Sequence, residues 1–223
     1  MKQELVADYL TPLRALYSIE NVVEKPAPPA VKTSPLFSLP LELCTYHPDL
    51  VGKVCRPVTD ADCADLPLLV AEMTEFCRKH DGVGLAAPQV GVYIKLAIVL
   101  HRSPNAKVLV NPEIVNLAGR DLLEDEGCLS LPGIPPRYEP FDYPTARVWR
   151  SEIVTVKAGT LDNPNAEKIT KYKGFTGRVV QHEIDHLKGV FFIDRCQAPA
   201  RAAVLGRYGR YLRERQEAEF RGQ

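Results

Sequence analysis

The chain has 223 residues, enough for one substantial domain with a full hydrophobic core, or at most two small ones. Apolar residues make up 45% and charged residues 25%, as in ordinary soluble globular proteins, and Lys+Arg and Asp+Glu balance at 28 each. The zero net charge argues against DNA, bulk nucleic acid or an anionic membrane as a partner of the whole protein, and no apolar run approaches the roughly 20 residues that span a bilayer.

Residues 1–24 have Leu5, Tyr9, Leu10, Leu13, Leu16 and Tyr17 near helical spacing and predict an amphipathic helix, kinked or restarted at Pro12. The first eight residues lack the apolar stretch of a secretory signal, and their acidic side chains fit a transit peptide poorly. The expectation is therefore a cytoplasmic protein, an organelle remaining open. Residues 25–40 hold Pro26, Pro28, Pro29, Pro35 and Pro40 and read as an extended linker or surface strap. Residues 66–79 predict a helix, with Leu66, Leu69, Val70, Met73, Phe76 and Cys77 on one face and Pro67 in its first turn, which makes Cys77 a core residue. After the turn Asp81-Gly82-Val83-Gly84 come strand-like runs at 93–100, 107–110, 113–117, 145–149, 152–158 and 168–173. A further helix spans about 176–188, with Gly189 as its C′ residue. The tail 201–223 predicts a helix with six arginines against three glutamates. Helices and strands are segregated rather than alternating, so the predicted class is α+β.

Six cysteines are spread irregularly, with no C-x-x-C pair, so reduced thiols are expected rather than a disulfide frame or a four-cysteine zinc ribbon. The strongest local signal is Gln181-His182-Glu183-Ile184-Asp185-His186, which contains H-E-x-x-H. On a helix, residues four apart share a face, so His182 and His186 can turn a ring nitrogen toward one metal while Glu183 reaches a water beside it. Val180, Ile184 and Leu187 form the adjacent apolar stripe that would pin this helix to a core. Two histidines leave the site a ligand short of the usual three. Glu126-Gly127-Cys128-Leu129-Ser130 offers a thiolate beside a small residue, and on residues alone Cys128 is equally a third ligand or a buried thiol in a turn. Gly82-Val83-Gly84-Leu85-Ala86-Ala87-Pro88-Gln89 mimics a dinucleotide fingerprint. It follows a polar-faced helix end instead of an apolar strand, and Pro88 would break a helix begun there. What remains is a small-residue turn that lets backbone approach a ligand, ending in a Gln amide able to donate to a developing oxyanion.

Together these three segments resemble the peptide deformylases, whose motifs G-φ-G-φ-A-A-x-Q, E-G-C-φ-S and Q-H-E-φ-D-H are matched in order at 82–89, 126–130 and 181–186. The resemblance covers about 41–195, including Tyr46-His47-Pro48-Asp49-Leu50. It implies antiparallel sheets packed around a central helix carrying the H-E-x-x-H, in one catalytic domain at 41–195. That domain would be preceded by an extension at 1–40 and followed by an arginine-rich helix at 196–223. It implies Cys128, His182 and His186 as metal ligands, for Fe(II) in the cell, with Zn(II), Ni(II) or Co(II) able to take the same place. It implies an N-formyl-methionyl peptide as substrate, Glu183 as the proton carrier, and the Gln89 amide and the Leu129 N–H as oxyanion donors. Gly84, Glu126, Gly127, Phe175 and Val179 would serve the substrate, and Arg137, in Pro136-Arg137-Tyr138-Glu139, would brace Asp185. The stretch between Cys128 and His182 is long for the family, the surplus falling near Pro140-Phe141-Asp142-Tyr143-Pro144. The alternatives are a related metallohydrolase acting on another N-formyl amine and a non-catalytic scaffold. The arginine-rich tail adds a transient ribosome contact as a further expectation.

Overall fold

The computed structural model describes residues 34, 36–101, 105–133 and 146–221. The amphipathic helix expected within 1–24, most of the proline-rich strap, Arg137 and the surplus near 140–144 lie outside these residues. The described elements are helix α1 (Leu66–Lys79), strands β1 (Gly84–Ala86), β2 (Leu96–Val99), β3 (Lys107–Asp125), β4 (Arg147–Gly159) and β5 (Lys168–Lys173), helix α2 (Gly174–His186) and helix α3 (Ala198–Arg221). The fold is α+β, as the segregation of elements predicts. Where several sheets were expected, the described strands form one antiparallel sheet in the order β1-β2-β3-β4-β5.

α1 forms where its apolar spacing places it, with Pro67 in the first turn and Arg78 and Lys79 in the last, where cations complement the helix dipole. Its buried face packs Leu66, Leu69, Met73 and Cys77 against Leu85 and Ile98. Phe37, at the end of the proline-rich stretch, joins that core.

Three strand expectations change, each for a visible reason. The run 93–100 shortens to Leu96–Val99 because Arg56 takes the backbone hydrogen bonds of Tyr93 and Lys95, at 3.1 and 2.8 Å. The runs 107–110 and 113–117 merge into β3. Asn111, with φ +49°, sits in a register shift between Val110 and Glu113, and its side-chain amide bonds the backbone of Val58 at 2.7 and 3.0 Å. Asn111-Pro112 therefore marks a bulge, not a strand end. The runs 145–149 and 152–158 likewise form a single strand, β4.

α2 lies against β4 and buries Val180 and Ile184 among Val99, Leu109, Val154 and Val156. Its end is a Schellman motif: Val190 N–H donates to Asp185 C=O at 3.0 Å and Gly189 N–H to His186 C=O at 3.0 Å. Gly189, with φ +68°, is the C′ residue that the sequence points to. A Cβ there would also lie 2.4 Å from the backbone nitrogen of Lys53. α3 is no free tail. Val204, Leu205 and Tyr208 are buried with Tyr46, Leu131, Val148 and Phe192, and Tyr208 Oη donates to Tyr46 C=O at 3.2 Å. Arg215 and Arg221, farther along, pair with Glu219 and Glu217 one turn away, so part of the tail's positive charge is balanced within the helix.

Two stability predictions follow from these contacts. Gly189→Ala combines a left-handed backbone with a backbone collision and is expected to cost about 2 kcal/mol or more in urea unfolding. Asp62 closes the turn before α1, accepting from Thr59 N–H at 2.8 Å and from two Arg56 nitrogens at 2.8 and 2.6 Å. The Arg56 guanidinium, helped by Thr59 and against the effect of burial, holds its carboxyl well below the usual carboxylate range. A carboxyl lowered on folding stabilises above its unfolded pKa, about 3.9, and stops doing so as pH falls through its folded value. Asp62→Asn is therefore expected to lose about 1–2 kcal/mol at pH 7. The gap from the parent protein should narrow below about pH 4, as read by urea unfolding at both pH values.

Candidate metal centre

Helix α2 carries His182 and His186 on one face, and both are buried. The loop after β3 brings Cys128 against them: Cys128 Sγ lies 3.3 Å from His186 Nε2, and the two histidine Nε2 atoms lie 3.2 Å apart. For a tetrahedral ion with metal–nitrogen bonds of about 2.0–2.1 Å and a metal–sulfur bond of about 2.3 Å, neighbouring ligand atoms are about 3.3–3.6 Å apart. Both observed distances fall within about 0.1 Å of that range, and the third pair, Cys128 with His182, lies within 4.8 Å. One thiolate with two imidazoles is a donor set for Zn(II), Fe(II) or their first-row neighbours, not for Mg(II) or Ca(II).

The orientation of His182 is set from behind. Its Nδ1 is bonded to Glu126 Oε2 at 2.9 Å, which leaves Nε2 for a metal. Glu126 was expected to serve the substrate; the structure turns it the other way, into a buried cluster of charges. Arg150 Nε and Nη2 donate to its two oxygens at 2.9 Å each, and Arg178 Nη1 donates to Oε1 at 2.8 Å. Burial pushes the Glu126 carboxyl up, but Arg150 and His182 override this and hold it well below the usual carboxylate range. Asp185 lies in the same cluster and is gripped by Arg150 and by Arg195 on both oxygens. The resemblance gives Asp185 a brace from Arg137, which lies outside the described residues; among those described, Arg150 and Arg195 hold it.

Glu183 is buried beside the histidines, and its Oε2 has no hydrogen-bond partner among the described residues. A buried acceptor without a donor is costly unless a water or a ligand completes it, which fits a site built around a metal and its water. Burial pushes the Glu183 carboxyl up to about 7. His182 opposes that rise, while the Glu126 and Asp185 carboxylates add to it. Gly84 is a glycine for a steric reason: a Cβ there would stand 2.5 Å from Glu183 Oε1 and 2.8 Å from Val179 Cγ1. β1 thus runs directly over Glu183, with Val179 beside it.

Gln89 is the third residue of the 3-10 turn Ala87–Val90. Its Oε1 accepts from Ala86 N–H at 2.8 Å, which fixes the amide so that Nε2 faces Cys128 Sγ at 3.4 Å and Ser130 Oγ at 3.2 Å. Leu129 follows the ligand Cys128 and packs its side chain on the α1 core, while Gly127 separates Cys128 from Glu126. Phe175 lies farther out. It is 47% exposed and stacks edge-on against His101 at 4.7 Å between centroids, so it stands at the rim of the site.

Arg150, Arg178, Arg195 and Ser130 were missed from sequence. Arg150 had a signal: in Arg147-Val148-Trp149-Arg150 it shares the inward parity of Val148. Arg178 lies four residues before His182, on the same helical face. Arg195, beyond the helix, carried none.

The comparisons with known proteins point one way. The family profile described as polypeptide deformylase matches residues 40–202. A peptide deformylase of Thermodesulfovibrio yellowstonii is 39% identical over 160 residues, covering 70% of this chain and 88% of the relative. Among solved structures, a peptide deformylase from Legionella pneumophila aligns at TM-score 0.67 with 30% identity, over 79% of this chain and 97% of the other. A class I type b peptide deformylase from Acinetobacter baumannii aligns at TM-score 0.60 with 35% identity, over 70% and 98%.

The buried charges make a direct prediction. Arg150→Met leaves Glu126 and Asp185 each short of a cationic partner, and it is expected to cost about 3 kcal/mol in urea unfolding at neutral pH.

Proposed function

The chain belongs to the polypeptide deformylase family, whose reaction removes the N-formyl group of nascent peptides, and from that premise we propose how its own residues carry the reaction out. Cys128, His182 and His186 hold one divalent metal, Fe(II) in the cell, with Zn(II), Ni(II) or Co(II) suited to the same donors. When bound, the metal supplies Lewis-acid polarisation and activation of a water molecule. The observation that carries this reading is the convergence of three ligand atoms, with His186 Nε2 3.2–3.3 Å from each of the other two, beside a carboxylate with an unsatisfied, buried oxygen.

The substrate peptide binds in extended form along β1, the edge strand of the sheet, where an added strand finds backbone partners. The absence of a side chain at Gly84 sets the formyl carbon close to Glu183. The methionine side chain packs on Val179 and toward Phe175 at the rim. As water attacks the formyl carbon, Glu183 accepts its proton, a role suited to a group poised near neutrality. The same carboxyl then gives the proton to the departing amine. Gln89 Nε2, held in place through Ala86, donates to the carbonyl oxygen as negative charge grows there, and the Leu129 N–H is the second donor. The products are formate and a free amino terminus.

The catalytic unit is residues 41–195, with α3 packed on it through Tyr208. A reducing, cytoplasmic compartment suits the site, since all six cysteines are unpaired and a thiolate beside Fe(II) is easily oxidised. No described helix is long and apolar enough to cross a membrane.

Formate release from formyl-Met-Ala-Ser tests the reading, with a simple N-formyl amine lacking a peptide backbone as comparison. The expected result is turnover of the peptide and little of the amine. Glu183→Gln should lower kcat by about 10²- to 10⁴-fold with metal content unchanged. Full activity in that variant, or equal turnover of the simple amine, would overturn the assignment.

A further inference from the structure

Arg178 is a buried guanidinium with four hydrogen bonds to three segments of chain. Its Nε donates to Glu124 Oε2 at 2.9 Å and its Nη2 to Leu122 C=O at 2.7 Å, both near the end of β3. Its Nη1 donates to Glu126 Oε1 at 2.8 Å and to Val148 C=O of β4 at 3.0 Å. It lies one helical turn before His182, on the same face of α2. β3 ends at Asp125, and the chain then runs through Glu126 and Gly127 to Cys128 outside any strand. The backbone near Cys128 is tied by the bond of Glu126 N–H to Ala146 C=O at 3.1 Å and of Leu131 N–H to Cys128 C=O at 3.0 Å. Between those ties sits Gly127, which has no side chain to anchor the turn. The two histidines stand on a rigid helix, whereas Cys128 stands on a loop, so their spacing depends on what joins helix to loop.

We propose that Arg178 is a positioning residue that sets the distance from the Cys128 thiolate to the His182–His186 pair. It does so by locking the end of β3 and the Glu126 side chain to the helix that carries the histidines. A planar fork meets carboxylates and carbonyls on several sides at once, whereas an ammonium at the same place is a single point of attachment. Arg178→Lys therefore keeps the buried positive charge and loses the lock. The inference rests on the proposed role of the three residues as metal ligands and concerns how firmly they hold together.

The test uses the full chain loaded with Co(II) and, separately, with Zn(II). Release of zinc to excess chelator is followed with a colorimetric indicator, and the thiolate-to-cobalt absorption is measured per bound ion. Arg178→Lys and Arg178→Gln are expected to release zinc about 10- to 100-fold faster than the parent, with weakened thiolate absorption. Arg56→Gln breaks a different two-nitrogen pair, with Asp62, away from the site. It serves as the control for loss of an arginine pair elsewhere in the fold and is expected to release zinc at the parent rate. If Arg178→Gln does not fold, Arg178→Lys decides alone. Parent-like release and spectrum in folded Arg178→Lys would overturn the proposal, as would equal acceleration in Arg56→Gln. A parent protein that takes up no stoichiometric metal would instead overturn the reading of the site itself, and the positioning role with it.

Discussion

The structure turns on one buried carboxylate. Glu126 accepts from His182, twice from Arg150 and once from Arg178, at 2.8–2.9 Å, so each oxygen receives two donors. Taking a charge out of water costs several kcal/mol, and this is offset only where partners and geometry are complete. Arg150, Arg178 and Arg195 face Glu124, Glu126 and Asp185, and the six charges cancel. A neutral hydrogen-bond acceptor would be cheaper to bury. The carboxylate does something an amide does poorly: it fixes the His182 ring through Nδ1 and raises the basicity of Nε2, which faces His186. The cluster also joins β3, β4 and α2 at the level of the histidines, so the forces that fold the sheet onto the helix are the forces that shape the metal site.

On the opposite side of the histidines the constraint is steric. Glu183 must be dry to be held near neutrality, and β1 is what covers it. That cover can lie close only if it lacks a side chain, which is why Gly84 meets Glu183 at a distance no Cβ could tolerate. Gly82 shows the same economy one step earlier, since a Cβ there would fall 2.6 Å from Cys77 Sγ. Cys77 in turn donates to Gly84 C=O at 3.4 Å, so the apolar face of α1 also supports the strand above Glu183. Small residues in this turn therefore answer a packing demand of Glu183 and Cys77.

What could be read from sequence follows from how local each feature is. α1 is legible to the residue because its periodicity, proline and basic end lie within 14 residues. The end of α2 is legible because Gly189 must have a positive φ. The H-E-x-x-H pair is legible because helical geometry alone puts the histidines together. The long strands were broken up in the reading because Asn111-Pro112 looks like a terminus until Val58, 53 residues earlier, supplies the partner that makes it a bulge. Arg150 and Arg195 reach Asp185 from β4 and from beyond the helix, contacts that only the tertiary fold brings about. Glu126 was given the wrong face for the same reason. Which way a side chain in a loop turns depends on partners 24 and 52 residues away, Arg150 and Arg178.

The six cysteines show how position, not residue type, divides their chemistry. Burial pushes Cys55 up to about 11 and Cys77 up to about 12, the Glu183 carboxylate adding to the second. Burial also pushes Cys196 up to about 11, with Glu126 and Asp194 contributing. Groups of that kind remain thiols at neutral pH and compete poorly for a metal. Cys128 is only partly buried, and its sulfur faces the Gln89 amide and the His186 ring instead of apolar walls. Cys77 is sealed by α1 and β1 and so is withheld from the cluster of Cys128, His182 and His186.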